Sequence, residues 1–227
     1  MTTEGLSILE EDILSDIADR TELMLQTKTI YLRYSFQPSD EQFFLNYSFP
    51  IIYSIWEGFV QTSFQTYVRE INRLGLSIDK ICKPILVYNT ESRFKQFKQY
   101  PAKTTQKASF FDKLCQFYQS DSFEINPKVN TESNVGYKVL NRIMEDFNLD
   151  KIPLYPKPRY SIEDELDKFL LKIRNDVAHG KGAIVVHRND LDRAISLVEI
   201  LMDLVFENIK KGFFVDKAYQ LDLESTI

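Results

Sequence analysis

The chain has 227 residues, 44% of them hydrophobic and 13% aromatic, with only 7 glycines and 8 prolines. That composition supplies one sizeable core and excludes a low-complexity or disordered scaffold. The net charge of -5 argues against broad binding of long nucleic acid, which draws on a basic surface, and leaves room for a local basic cleft. The first predicted helix runs from Glu10 to about Tyr34. Ile13, Ile17, Met24 and Leu25 fall near one face, and acids crowd the first turns, where the helix dipole favours them. A loop at Pro38-Ser39-Asp40 leads into a long helical stretch from about Glu41 to Leu74. One stripe there runs Phe44, Tyr47, Ile51, Ile55, and a second runs Ile52, Trp56, Phe59, Tyr67. Pro50 is expected to kink this helix or mark its true start, and Gly75 to stop it.

Residues 76–132 are the least regular part. Ile81 to Tyr88 contains Pro84 and reads as extended or irregular, while Thr105 to Tyr118 reads as helical, with Phe110, Phe111, Leu114 and Tyr118 on one side. The region has the character of an insertion in a helical bundle. A further helix is expected over Ser133 to Phe147, with Val139, Ile143 and Phe147 inward. The three prolines of residues 151–160 make a loop. Ser161 begins the next helix, with Asp164 in the acidic position of a capping box. Its stripe is Leu166, Phe169, Leu170, Ile173 and Val177, and Gly180 ends it. The last helix runs from Asn189 to about Lys211, before Gly212. Leu191, Ile195, Val198, Met202, Val205 and Ile209 form one stripe, and Leu197, Leu201 and Leu204 a second. A helix apolar on two sides is central in a bundle or part of a subunit interface. The fold expected is therefore all-α: one domain over residues 1–227, with core helices at about 10–75 and 133–211 and an insertion over 76–132.

Cys82 and Cys115 make no disulfide framework. Met1-Thr2-Thr3-Glu4 opens no secretory signal, and no apolar run approaches the about 18 residues of a membrane span. A cytoplasmic protein without membrane attachment is expected. His179 and His187 are the only histidines and lie far from the cysteines, so no metal site is expected. No Gly-rich phosphate loop, G-x-S-x-G or H-E-x-x-H occurs, and no cofactor is expected.

The chemistry-bearing residues gather on the helix that ends at Gly180. At about 100° per residue, Lys172, Asn175, Asp176 and His179 share the side opposite the apolar stripe, with Arg174 at the border. An imidazole titrates near neutral pH and can move protons at a ribose 2'-hydroxyl or a leaving 5'-oxygen. A guanidinium beside it can hold a phosphate by two hydrogen bonds and offset transition-state charge. Plainer readings stand beside this one: His179 as a helix cap, Asp176 paired with Lys172, and an Arg and a His five apart by chance.

Arg174-x4-His179 matches the signature of the HEPN superfamily, and Leu171-Lys172-Ile173-Arg174-Asn175-Asp176-Val177-Ala178-His179-Gly180 resembles its fuller "RN-x-(I/V)-AHG" form. Upstream, Tyr53-Ser54-Ile55-Trp56-Glu57-Gly58-Phe59-Val60 resembles the "Y-x-x-WEGF" helix of a bacterial branch of HEPN-like nucleases found in defence islands. The resemblance implies an all-α HEPN-like bundle, a homodimer, and a metal-independent endoribonuclease with a composite site. Arg174 and His179 are then the catalytic pair, Asn175 and Asp176 supporting polar residues, and RNA the substrate. A toxin or phage-defence role follows, with an antitoxin or other defence-system protein as partner. Glu57 would reach the site from the second block, or else serve helix packing or a surface ion pair. Toxins of this superfamily that a nucleotidyltransferase regulates carry a Tyr two residues after the His. Lys181 stands there, which speaks against that regulation. The alternatives are a HEPN-like module that binds RNA, nucleotide or protein without cleaving, and a structural helical dimer. Separately, Arg93, Lys95, Lys98, Lys103 and Lys107 alternate with Phe94, Phe97 and Tyr100. That pattern suits phosphate contact with base stacking, or a solvated amphipathic face with its aromatics buried.

Overall fold

The computed structural model describes residues 7–119, 123–180 and 185–221, and among these the regular structure is helical. Helix α1 (Ile8–Arg33) starts two residues ahead of the predicted Glu10 because Ser7 and Glu10 form a reciprocal capping box. Helix α2 (Pro38–Arg73) is the axis of the fold. Trp56, Tyr53, Tyr67, Phe49, Phe59 and Phe64, the largest of the fully buried side chains, all lie on it. At about 25 cal/mol per Å² and about 150–250 Å² per aromatic, each contributes up to about 4–6 kcal/mol of burial free energy. Pro50 neither breaks α2 nor begins it. Burial on both sides outweighs the about 3 kcal/mol that an interior proline costs. Helix α1 and two later helices, α6 (Lys172–Ala178) and α7 (Arg188–Phe214), surround α2.

Where the expected stripes differ from the observed core, the reason is the neighbour each face meets. Ile52, Trp56, Phe59 and Tyr67 are buried as expected, whereas Tyr47 and Ile51 of the other stripe are exposed, as is Leu25 on α1. Among the described residues no element covers those side chains. Residues 81–88, expected to be extended or irregular, mostly enter helix α3 (Lys83–Arg93), because Pro84 sits in its first turn, where no intrahelical N–H partner is required. Just before α3, Ile81 pairs antiparallel with Gln220, and the Cys82 N–H donates to the Tyr219 carbonyl at 2.9 Å. Helix α4 (Thr104–Tyr118) follows. Phe110 is its buried residue, while Phe111 and Tyr118 are exposed. Helix α5 (Tyr137–Asp146) starts four residues later than expected, because Glu132 and Ser133 take left-handed backbone angles (φ 53° and 56°) that no helix can include.

The helix that carries the Arg-His motif is built in two parts. Residues Asp164–Leu171 are π-helical, and helix α6 (Lys172–Ala178) continues from them. The Ser161 hydroxyl accepts from the Asp164 N–H at 3.2 Å, so half of the expected capping box is present. The wider i→i+5 turn changes the phase of the apolar stripe. Phe169, Leu170 and Leu171 are buried in succession, and Ile173 and Val177 are left half-buried. Phe49 and Arg193 hold this segment. Phe169 meets Phe49 edge-on at 5.6 Å. Arg193 makes a bidentate pair with Glu165 (2.7 and 2.7 Å) while lying 4.1 Å from the Phe169 ring centre. Helix α7 (Arg188–Phe214) turns both of its stripes inward: Leu191, Ile195, Leu197, Val198, Leu201, Met202, Val205 and Ile209 are all buried within the one chain. Leu204 of the second stripe stays half-buried, and the burial of the others makes this the central helix of the two options. Among the described residues no helix is long and apolar enough to cross a membrane.

Candidate functional site

The block Tyr53-Ser54-Ile55-Trp56-Glu57-Gly58-Phe59 occupies about two turns of α2. Tyr53 and Trp56, three apart on α2, grip the backbone of one residue, Val135. The Tyr53 hydroxyl accepts from the Val135 N–H at 2.7 Å, and the Trp56 indole N–H donates to the Val135 carbonyl at 3.0 Å. Both backbone polar groups of a buried residue are thereby satisfied by side chains, in a segment with no ladder of its own. Glu57 accepts from the Thr131 hydroxyl at 2.9 Å and extends the grip four residues upstream. Gly58 lies under Arg20, where a Cβ would stand 2.8 Å from the guanidinium, whose Nη1 donates to the Ile55 carbonyl at 2.8 Å. The block is thus a clamp that fixes residues 131–135 against α2, and Arg20 ties α1 to α2 beside it.

On the other side of the Tyr53 ring lies Arg174, its guanidinium carbon 4.6 Å from the ring centre. Arg174 Nη1 donates to Asn175 Oδ1 at 2.7 Å, and among the described residues its other N–H groups have no hydrogen-bond partner. Burial pushes the Tyr53 hydroxyl up to about 12, with the Glu57 carboxylate adding to the rise, while the Val135 N–H and Arg174 oppose it. The phenol therefore stays neutral, and it holds Arg174 as a cation over a π face, not as an ion pair. His179 is the C-cap of α6. Its N–H donates to the Asn175 carbonyl at 3.0 Å, its side chain is exposed, and Gly180 follows in the left-handed conformation (φ 60°) that ends the helix. Between α6, the π-helical turn and the clamped loop opens a pocket of about 500 Å³, lined by Asn134, Lys138, Asp167, Lys172, Asn175 and Asp176 among others.

The family model described as MAE_28990-like HEPN matches residues 9–216. The chain belongs to the HEPN superfamily. No curated protein and no solved structure shows significant similarity to it. Membership points to a nuclease-like or RNA-related role.

Of the residues the sequence singles out in this HEPN domain, Lys172, Asn175 and Asp176 do share one face, and that face lines the pocket. Arg174 adjoins it through Asn175. His179 stands at the helix end and is not among the lining residues. Glu57 holds Thr131 and reaches Arg174 only by way of Tyr53. Lys181, the residue that departs from the regulated toxins, and the Met1-Thr2-Thr3-Glu4 opening lie outside the described residues. In the basic segment Phe94, Phe97 and Tyr100 all meet Phe110 edge-on, at 6.0, 5.3 and 6.3 Å, but Phe97 and Tyr100 stay exposed and are not buried as a solvated amphipathic face would have them. Arg93 lies over Phe117 and donates to the Glu124 carbonyl, and Lys107 lies over Tyr100. Lys95, Lys98 and Lys103 are exposed. Sequence reasoning missed the direct contact of Tyr53 with Arg174, although Tyr53 stands in a recognisable block. It also missed Asp167, which reads as one more acid in the solvated run Asp164-Glu165-Leu166-Asp167.

Proposed function

We propose that this HEPN domain is an endoribonuclease that cleaves RNA without a metal ion. A ribose 2'-oxygen attacks the adjacent phosphorus and gives up its proton, the P–O5' bond breaks, and the leaving 5'-oxygen is protonated. The products are a 2',3'-cyclic phosphate and a 5'-hydroxyl. The observation that carries this reading is the state of Arg174. It is a cation pinned by Tyr53 and Asn175 with N–H donors to spare, beside an open polar pocket. A guanidinium so oriented can take a scissile phosphate bidentately and stabilise the charge that develops there. His179 is assigned a proton transfer from its exposed place at the same helix end, and Asn175 the orientation of Arg174. Asp176 supports from the pocket wall. Among the described residues no group of three His, Cys, Asp or Glu side chains is arranged to hold a metal.

His179 lies apart from the pocket lining, which suits a site completed by a second copy of the chain. We therefore keep the homodimer in this reading. With α7 buried, its interface falls to exposed surface such as Phe43, Tyr47 and Ile51, spaced four apart on α2. A toxin or phage-defence effector, held in check by a partner protein, is the biological role that follows. The test is incubation of total RNA with the protein in EDTA. Cleavage by the wild type, and none by His179→Ala, supports the assignment. Binding without cleavage replaces it with a non-catalytic RNA-binding module.

A further inference from the structure

We infer that the pocket beside Arg174 is a base-recognition subsite that selects guanine next to the scissile phosphate, read by Asp167. Its place in cleavage rests on the ribonuclease reading, whereas the binding it describes does not. The volume of about 500 Å³ falls within the usual range of small-molecule sites, about 300–1,000 Å³. Its shape is locked from behind, because Asn134 and Gly136 flank Val135, the residue that Tyr53 and Trp56 clamp. Gly136 has a reason to be glycine: a Cβ there would stand 2.6 Å from Asp167 Oδ1. Without it, Asp167 comes close enough for Oδ1 to accept from the Tyr137 N–H at 2.8 Å. That bond fixes the carboxylate, and among the described residues Oδ2 has no hydrogen-bond partner. Burial, the largest influence on it, raises the pKa of Asp167, as befits a carboxylate short of donors.

A fixed carboxylate in a half-buried wall calls for a ligand edge with donors. Guanine alone among the RNA bases presents two adjacent N–H groups, N1–H and the 2-amino group, and a carboxylate accepts both. Adenine and cytosine set one amino group beside a ring nitrogen whose lone pair repels the carboxylate. Uracil has one N–H between two carbonyls. Lys138 lines the same pocket and opposes the rise in the Asp167 pKa, so the site also holds a donor suited to O6 of guanine. Val139 and Leu171 offer an apolar surface to the ring face. Asn175 borders the pocket and holds Arg174, so the phosphate of the same nucleotide meets the guanidinium.

The test is a titration of the purified protein with the four nucleoside 3'-monophosphates and with inosine 3'-monophosphate, followed by NMR or calorimetry. The guanine nucleotide should bind about tenfold or more tightly than the other three, the typical discrimination of a bidentate base contact. Inosine, which lacks the 2-amino group, should lose most of that advantage. Asp167→Asn keeps an oxygen for the Tyr137 N–H but turns an NH2 toward the base. It should abolish the preference while affinity for the other nucleotides holds. Arg174→Ala should weaken all of them and keep the preference. Equal binding of the four nucleotides, or inosine bound as tightly as guanine, overturns the proposal without recourse to any variant. A guanine preference in a protein that cuts no RNA leaves the subsite standing and removes the ribonuclease reading. Cleavage with no preference for guanine at the cut, mapped by sequencing, does the reverse.

Discussion

Replacing Tyr53 by Phe separates the two jobs of that side chain. The hydroxyl holds the Val135 N–H, and the ring holds Arg174. Removing the hydroxyl leaves a buried N–H without an acceptor, at a cost of about 1–3 kcal/mol. For a chain of this size each kcal/mol moves the melting temperature by about 2–4 °C, so a fall of about 2–12 °C is expected. The ring, and with it the about 0.5–1 kcal/mol of cation-π attraction, remains, so cleavage well below the melting temperature should stay close to wild type. Arg174→Ala is the converse. It forfeits only the cation-π contact and the bond to Asn175, so it should melt near wild type, yet lose about 10²–10³-fold in activity. Thermal unfolding by circular dichroism and cleavage of a labelled RNA read the two effects separately. If Tyr53→Phe lost activity as Arg174→Ala does, with no fall in melting temperature, the hydroxyl would belong to the chemistry and the clamp argument would fail. An unchanged melting temperature with unchanged activity would show that the Val135 bond contributes nothing.

His179→Ala should lower cleavage by about 10²–10⁴-fold with helical content intact, and DNA, which lacks the 2'-hydroxyl, should be untouched. His187→Ala should do little, because it is the His187 backbone N–H that meets Asp190 Oδ2, at 2.9 Å, to begin α7. Changing Lys95, Lys98 and Lys103 to Gln should leave RNA affinity the same at low and high salt, since the neighbouring rings are engaged with Phe110. Weaker binding with a shallower salt dependence would place RNA on that segment instead. Light scattering at micromolar concentration should find a dimer, and a monomer would remove the composite site. For Asp167 the folded state raises the pKa, so the folded protein binds that proton more tightly and loses stability as pH climbs from the ordinary carboxylate value through the raised one. The stability of Asp167→Asn relative to wild type should therefore rise across that window and level off beyond it. A flat difference in urea midpoints from pH 3 upward would refute the shift.

Local information in the sequence reaches as far as a helical turn or two. It was enough for the existence of α1, α2, α6 and α7, for the Gly180 stop, and for the shared face of Lys172, Asn175 and Asp176, because each depends on spacing along a single segment. The Arg-His motif and the Tyr53–Val60 block are legible for the same reason, and they suggested the HEPN family that the match over residues 9–216 shows. Which apolar face is covered was not legible: Tyr47 and Ile51 have the same spacing as their buried neighbours, and only the absence of a packing element leaves them in solvent. The π-helical phase of Asp164–Leu171 was equally hidden, since nothing in its composition distinguishes it from an α-helix. The contacts that make a site, Tyr53 with Arg174 and with Val135, and Asp167 with Tyr137, join residues 121, 82 and 30 positions apart. No periodicity encodes such pairs. They follow from where the buried faces of α2 and the motif helix force the chain between them to lie, and that is decided only when the whole core is packed.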